Sequence, residues 1–150
     1  MVGVTLSSLA ASSSAAPTPI VVHLGGPLAI AAGDRHVWVT DGVNNSVAEL
    51  NATNGSLVRD ISAQADGLNG PFTIAVSGTH VWIVNQSGSS VTELNASDGS
   101  WVRTLSGGSY GFNFPDCVAF DGTHLWVTNY ANSVTELNAS NATQAGLLNP

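Results

Sequence analysis

Between Pro27 and Leu148 the chain alternates short apolar runs with clusters of Asn, Ser, Thr and Gly. In the middle of the chain the runs are IAVSG from Ile74, VWIVN from Val81, VTEL from Val91 and SWVRTL from Ser100. Runs of this length, rich in β-branched and aromatic residues and bounded by Gly and Asn, specify strands and turns. Gly78-Thr79 joins the first two as a hairpin. Asn95 to Gly99 joins the last two, with Gly99 supplying a positive φ and the Asn95 side chain capping the turn. An apolar stripe of helical period does not develop anywhere, and Gly and Pro interrupt the chain too often for helices.

The same pattern occurs three times. A shift of 44 residues superimposes Pro27, Pro71 and Pro115, then His36, His80 and His124, then Trp38, Trp82 and Trp126. After one deletion in the third copy, Glu49, Glu93 and Glu136 align, followed by Asn51, Asn95 and Asn138. Residues 27–62 and 71–106 share 17 identities in 36 positions, which identifies copies of one supersecondary unit. Four antiparallel strands per 44 residues is the unit of a β-propeller blade.

The strand-two segments VWVTD, VWIVN and LWVTN, each followed within a few residues by S-V-(A/T)-E-L-N-A, resemble the YVTN/NHL-like propeller family over residues 27–143. The chain departs from that pattern at Asp41 (for Asn), Val84 (for Thr) and Ala142 (for the turn Gly). The resemblance implies an all-β fold of three four-stranded blades, at about 27–62, 71–106 and 115–150, the last incomplete. It also implies a non-catalytic binding scaffold. Within the wider resemblance stand virginiamycin B lyase-like propellers, which imply an alternative enzymatic reading through channel-lining His and acidic groups with a divalent metal. The rival fold with three units of four strands is the β-trefoil, whose lectin members carry a Q-x-W pattern absent here.

Closed propellers have about four to eight blades, so three make an open arc. The arc is either a fragment of a longer protein or half of a six-bladed ring completed by a homodimer. Ile20 to Leu24 reads as an additional strand before the first blade. Residues 1–19, small, apolar, Ser-rich and ending in S-A-A, resemble a signal peptide without its basic start, or a disordered leader. The expected location is therefore secreted or cell-surface.

Composition narrows the partners. The chain has no Lys, only three Arg and a net charge of -7, which repels phosphate backbones and excludes nucleic acid as an expected partner. No apolar run approaches the roughly 20 residues of a membrane span. Cys117 cannot form an internal disulfide and reads as a small buried hydrophobe. Seven N-x-S/T sequons, most of them at turns that favour Asn for backbone reasons, say little about glycosylation.

Candidate chemistry is sparse, and no catalytic residue or cofactor is assigned. Three histidines are the ligand set of a catalytic zinc site, so His36, His80 and His124 form a secondary metal reading. Recurrence in every unit points instead to a packing role, with each imidazole bonding a turn. Trp38, Trp82 and Trp126 read as packing between sheets, and the repeated glutamates as facing solvent or a neighbouring blade. Residues that break the repeat are better ligand candidates. Tyr110, Phe112 and Phe114 lie in the connection before the third blade, and Asp41, Asn85 and Asn129 end strand two on the same face. Protein or carbohydrate is the expected ligand class.

Overall fold

The computed structural model describes residues 21–33, 35–62 and 67–149, and these form three separate four-stranded antiparallel sheets. The first contains β1 (Pro27–Gly33), β2 (His36–Asp41), β3 (Ser46–Asn51) and β4 (Leu57–Ile61). The second contains β5 (Pro71–Ser77), β6 (His80–Asn85), β7 (Ser90–Asn95) and β8 (Trp101–Ser106). The third contains β9 (Pro115–Phe120), β10 (His124–Asn129), β11 (Ser133–Asn138) and β12 (Gln144–Leu148). Each sheet pairs its strands in sequence order, and β1, β5 and β9 touch in succession along one edge of the stack. A 3-10 turn at Gly108–Tyr110 is the one helical element among the described residues. None of these elements is long and apolar enough to cross a membrane as a helix.

The structure departs from the sequence-based expectation at both ends of the arc. The third blade is complete, because QAGLL pairs with β11 as β12 despite its divergence from WVRTL. Residues 21–24 have no regular structure, and the leader 1–19 together with Ile20 lies outside the described residues.

The sheets stack through unlike faces. The face of blade one turned toward blade two carries Trp38, Val47 and Ile61; the facing surface of blade two carries Ile74, Val81, Ile83 and Leu94, with Leu68 from the connection closing the layer. The next junction repeats this, with Trp82, Val84, Val91 and Leu105 against Leu125, Val127 and Leu137. We call these the leading face, toward the following blade, and the trailing face. Strand alternation sends odd and even residues to opposite faces, so each strand serves both junctions. Trp38 and Trp82 are fully buried, as expected for packing between sheets, whereas Trp126, on the leading face of the last blade, is only half-buried.

The same alternation explains why Cys117 is exposed rather than buried. Val118 and Phe120 point into the junction with blade two, so Cys117 and Ala119 point to the leading face of blade three, where no sheet follows among the described residues.

The β3–β4, β7–β8 and β11–β12 turns share one design. The side-chain oxygens of Asn51, Asn95 and Asn138 accept the N–H of Thr53 (2.8 Å), Ser97 (3.0 Å) and Ser140 (3.0 Å). The fifth residue is left-handed in each: Gly55 (φ 73), Gly99 (φ 68) and Ala142 (φ 60). A Cβ on Gly99 would lie 2.8 Å from Ile61 Cδ1, while Gly78, also left-handed at φ 56, has open space around it. Gly78→Ala should therefore cost only the left-handed strain, about 1–2 kcal/mol. Gly99→Ala should cost roughly 1–3 kcal/mol more through overpacking against blade one. Urea denaturation of the two variants checks this, and equal losses would show that the turn does not press on its neighbour.

Candidate functional site

The chain's ionisable groups concentrate at the lower ends of the blades, beside the β1–β2 and β3–β4 turns and their equivalents. Glu49 and Glu93 lie in mid-strand and are 0% and 1% exposed, so of the two expectations, solvent or a neighbouring blade, the second holds. The reason is registry. Glu49 is paired with Arg59 across β3–β4 and with Trp38 across β2–β3, which places it on the leading face under the next blade. Arg59 Nε sits 2.7 Å from Glu49 Oε2, and His36 Nε2 lies 3.4 Å from Oε1. Blade two repeats the arrangement, with Arg103 Nε at 2.8 Å and His80 Nδ1 at 2.7 Å from Glu93. The arginine contacts are close ion pairs and the histidine contacts close approaches, and in both the N–H groups are not well aligned on the carboxylates.

Each arginine also reaches the following blade. Arg103 donates to the Asn141 carbonyl at 3.0 Å, and Arg59 lies against the Gly99 turn. The histidines lie beside carboxylates and not beside turn carbonyls. In blade three the clasp is incomplete, because Gly146 stands opposite Glu136 where arginine stands in the other blades. His124 Nδ1 lies 3.7 Å from both Asp121 and Glu136. His36, His80 and His124 do not converge, and no group of three or more His, Cys, Asp or Glu able to hold a metal occurs among the described residues.

Burial pushes the Glu93 carboxyl above its ordinary value of 4.5, and the opposing pull of Arg103 and His80 does not cancel that push. Asp121 is held down to about 2, chiefly by the backbone N–H of His124, then by Trp126 Nε1 and the Thr123 N–H. The indole partner differs by blade. Trp82 Nε1 donates to Ser77 Oγ at 2.7 Å and Trp126 Nε1 to Asp121 Oδ2 at 2.8 Å. Gly33 occupies the equivalent position in blade one, and Trp38 Nε1 is buried with no hydrogen-bond partner.

The opposite, upper ends carry the strand two to strand three loops and the connections between blades. Here Asp41, Asn85 and Asn129 are buried, at 0%, 0% and 6% exposure, and their polar atoms are engaged within the chain. Asp41 accepts from the backbone N–H of Gly25, Gly26, Val43 and Asn44 and from Asn44 Nδ2. Burial raises its pKa, but these bonds outweigh it and the net shift is downward. Asn85 accepts from Asn69 N and donates to Ser90 and Thr92; Asn129 accepts from Asn113 N and donates to Thr135. All three lash a connection to the end of strand two, which leaves little of them to offer a ligand.

The aromatic connection divides. Tyr110 and Phe112 stack at 5.5 Å with an interplanar angle of 7° and pack on the second core. Phe114 is 56% exposed, held in a left-handed conformation (φ 46). Its carbonyl accepts from the N–H of Tyr130, which is 82% exposed. Tyr130 escaped the sequence reading, although it breaks the repeat as clearly as Phe114: its equivalents are Gly42 and Gln86. Leu28 and Val43, also exposed, add apolar surface on the same face. At the same ends of the blades a groove of about 590 Å³ between blades one and two is lined by Asn44, Asn45, Asn69, Ser90, Thr104 and Ser106, among others, and by none of these four apolar residues.

No family model matches the chain, and no curated protein matches it. Solved structures do. Kuenenia stuttgartiensis hydrazine synthase superposes with a TM-score of 0.72 at 15% identity, over 89% of this chain and 38% of that one. The computationally designed Ika4 protein gives 0.70 at 12% identity, over 89% and 78%. The WD40 repeats of RRP9 give 0.69 at 16% identity, over 87% and 40%. The chain thus spans well under half the length of the two natural proteins it is compared with here. The fold these likenesses define is the β-propeller, present as three blades in an open arc, and not the β-trefoil.

Removing the arginine of a clasp should expose the cost of the buried acid. A carboxyl whose pKa is raised by folding weakens the fold as pH rises through its unfolded value toward its folded one, because only the unfolded state gives up the proton freely. Arg103→Met should raise the Glu93 pKa further, so its stability deficit should be largest at neutral pH and shrink as pH falls toward 4.5. Urea midpoints at several pH values check this, and a pH-independent deficit would mean that Arg103 acts only through packing and its bond to Asn141.

Proposed function

We propose that the chain is a non-catalytic binding scaffold of the YVTN/NHL-like kind, secreted or displayed at the cell surface, with its ligand face at the upper ends of the blades. The observation that carries this reading is the separation of ionisable chemistry from exposed contact area. Glu49, Glu93, Arg59 and Arg103 are committed to clasps between strands and blades, and His36 and His80 buttress them. Phe114, Tyr130, Leu28 and Val43 instead present apolar surface to solvent at the other end.

Exposed aromatic rings on the same face as a groove of neutral hydrogen-bonding side chains suit a carbohydrate, whose apolar C–H faces stack on rings while its hydroxyls meet amides and hydroxyls. The net charge of -7 favours a neutral sugar over an acidic one. The Ser- and Ala-rich leader and the low charged fraction of 9% support a location outside the cytoplasm.

A panel of immobilised neutral oligosaccharides tests the reading. Binding is expected, with Phe114→Ser/Tyr130→Ser losing roughly thirtyfold in affinity, the effect of about 2 kcal/mol from lost aromatic anchors. Unchanged affinity in that variant, or turnover of a bound sugar by the purified chain, would overturn it.

A further inference from the structure

The two ends of the arc are each other's missing neighbours. Ile30, on the trailing face of blade one, is 68% exposed, whereas its equivalent Ile74 is 6% exposed within the first junction. Leu148, on the leading face of blade three, is 56% exposed, whereas its equivalents Leu105 and Ile61 are 5% and 9% exposed. Ala119, Cys117 and Thr128 are exposed on that same leading face. What covers a leading face in this molecule, at both junctions, is a trailing face. Among the described residues the trailing face of blade one is the one with no sheet packed on it: Ile30 is exposed at its edge, while Val39 and Ala48 at its centre are 7% and 0% exposed.

The polar groups agree. Asn45 Oδ1 accepts the N–H of Gly70 at 2.6 Å, and Ser89 Oγ accepts that of Phe114 at 3.3 Å, each tying a loop to the connection that leads into the following blade. Asn132 occupies the same left-handed position in blade three, at φ 60, and no connection is bonded to its side chain among the described residues. Charge agrees as well. Thr79 of blade two lines a shared cavity with Arg35 and His36 of blade one, so this turn position sits beside the histidine of the preceding blade. In blade one that turn position is Arg35. A blade one docked after blade three would bring this guanidinium to His124, Asp121 and Glu136, the one acidic cluster whose own strand supplies Gly146 in place of arginine.

We propose that two copies of this chain join blade three of one to blade one of the other, at two equivalent junctions, and close a six-bladed ring. Rings close at about four to eight blades, and six is the one multiple of three in that range. The inference rests on the propeller fold and not on the carbohydrate reading, so sugar binding and ring closure succeed or fail in separate measurements.

Sedimentation of the 150-residue chain is expected to give a species of twice 15.3 kDa, and iodoacetamide should modify Cys117, the single cysteine, more slowly as the dimer fills. Ala119 and Ile30 are both exposed, so Ala119→Arg and Ile30→Arg should each retain the strand signature in circular dichroism and sediment as monomers. Mixed together, these two variants should pair again, because one junction of the ring is then wild type on both sides. A monomer at all concentrations would overturn the proposal and leave further blades of a longer chain as the cover. Loss of the dimer in Ala119→Arg but not in Ile30→Arg would overturn it in favour of a symmetric contact between two third blades. An open polymer, growing without limit with concentration, would overturn the closure.

Discussion

A four-stranded antiparallel sheet with apolar residues on both faces cannot shelter either of them, and the rest of this structure follows from that constraint. Burying a residue such as Ile83 or Leu94 contributes roughly 1.5–3 kcal/mol, and only a neighbouring sheet supplies the cover. Stability therefore resides in the junctions and not in the blades. Because the tryptophan-bearing leading face differs from the Val, Ile and Leu of the trailing face, stacking has a direction. Sequence order thereby becomes position along the arc, and the repeat period becomes the spacing of the blades.

The clasps at the lower ends fix how neighbouring sheets meet. A buried carboxylate is an expensive way to gain stability, and an apolar residue of similar size would often serve better. What Glu49 and Glu93 do is hold Arg59 and Arg103 extended across the junction, where they meet the turn of the next blade. Apolar layers tolerate sliding, whereas a guanidinium held between a carboxylate and a particular turn does not. The third blade shows the arrangement with parts removed: with neither an arginine opposite it nor a following sheet among the described residues, Glu136 is less buried than Glu49 or Glu93.

The fold was largely legible because repetition turns weak local signals into a strong one. Three agreeing copies located every strand but the last, and the divergent QAGLL, expected to leave the third blade incomplete, forms β12 because its neighbour β11 dictates the pairing. The site was less legible, for reasons specific to each residue. The burial of Glu49 and Glu93 depends on what lies across a junction, which strand periodicity does not report. Cys117 looked apolar in context, yet its face has no neighbour among the described residues. Asp41, Asn85 and Asn129 looked available because they end strands at loops, and they are consumed by backbone N–H groups arriving from about 16 residues earlier in the chain. Tyr130 was identifiable by the same criterion that singled out Phe114.

The upper knots also explain a departure from the repeat that appeared arbitrary. Asn85 and Asn129 each have an NH₂ group to place, and each donates to a threonine, Thr92 or Thr135, which in turn donates to a carbonyl of the incoming connection. Asp41 carries no donor, and blade one has Ala48 where the others have threonine. The two substitutions are one change: a carboxylate that accepts from several N–H groups replaces an amide–hydroxyl relay. The relay in blade two engages Ser90 Oγ as well, whereas the carboxylate solution in blade one leaves the equivalent Ser46 Oγ buried without a partner, a cost that the several N–H bonds to Asp41 offset. With the inner positions of the upper ends set by that bookkeeping, variation is confined to the side chains outside the knots. Those are Val43, Phe114 and Tyr130, none of which the packing of its own blade requires to be large and apolar.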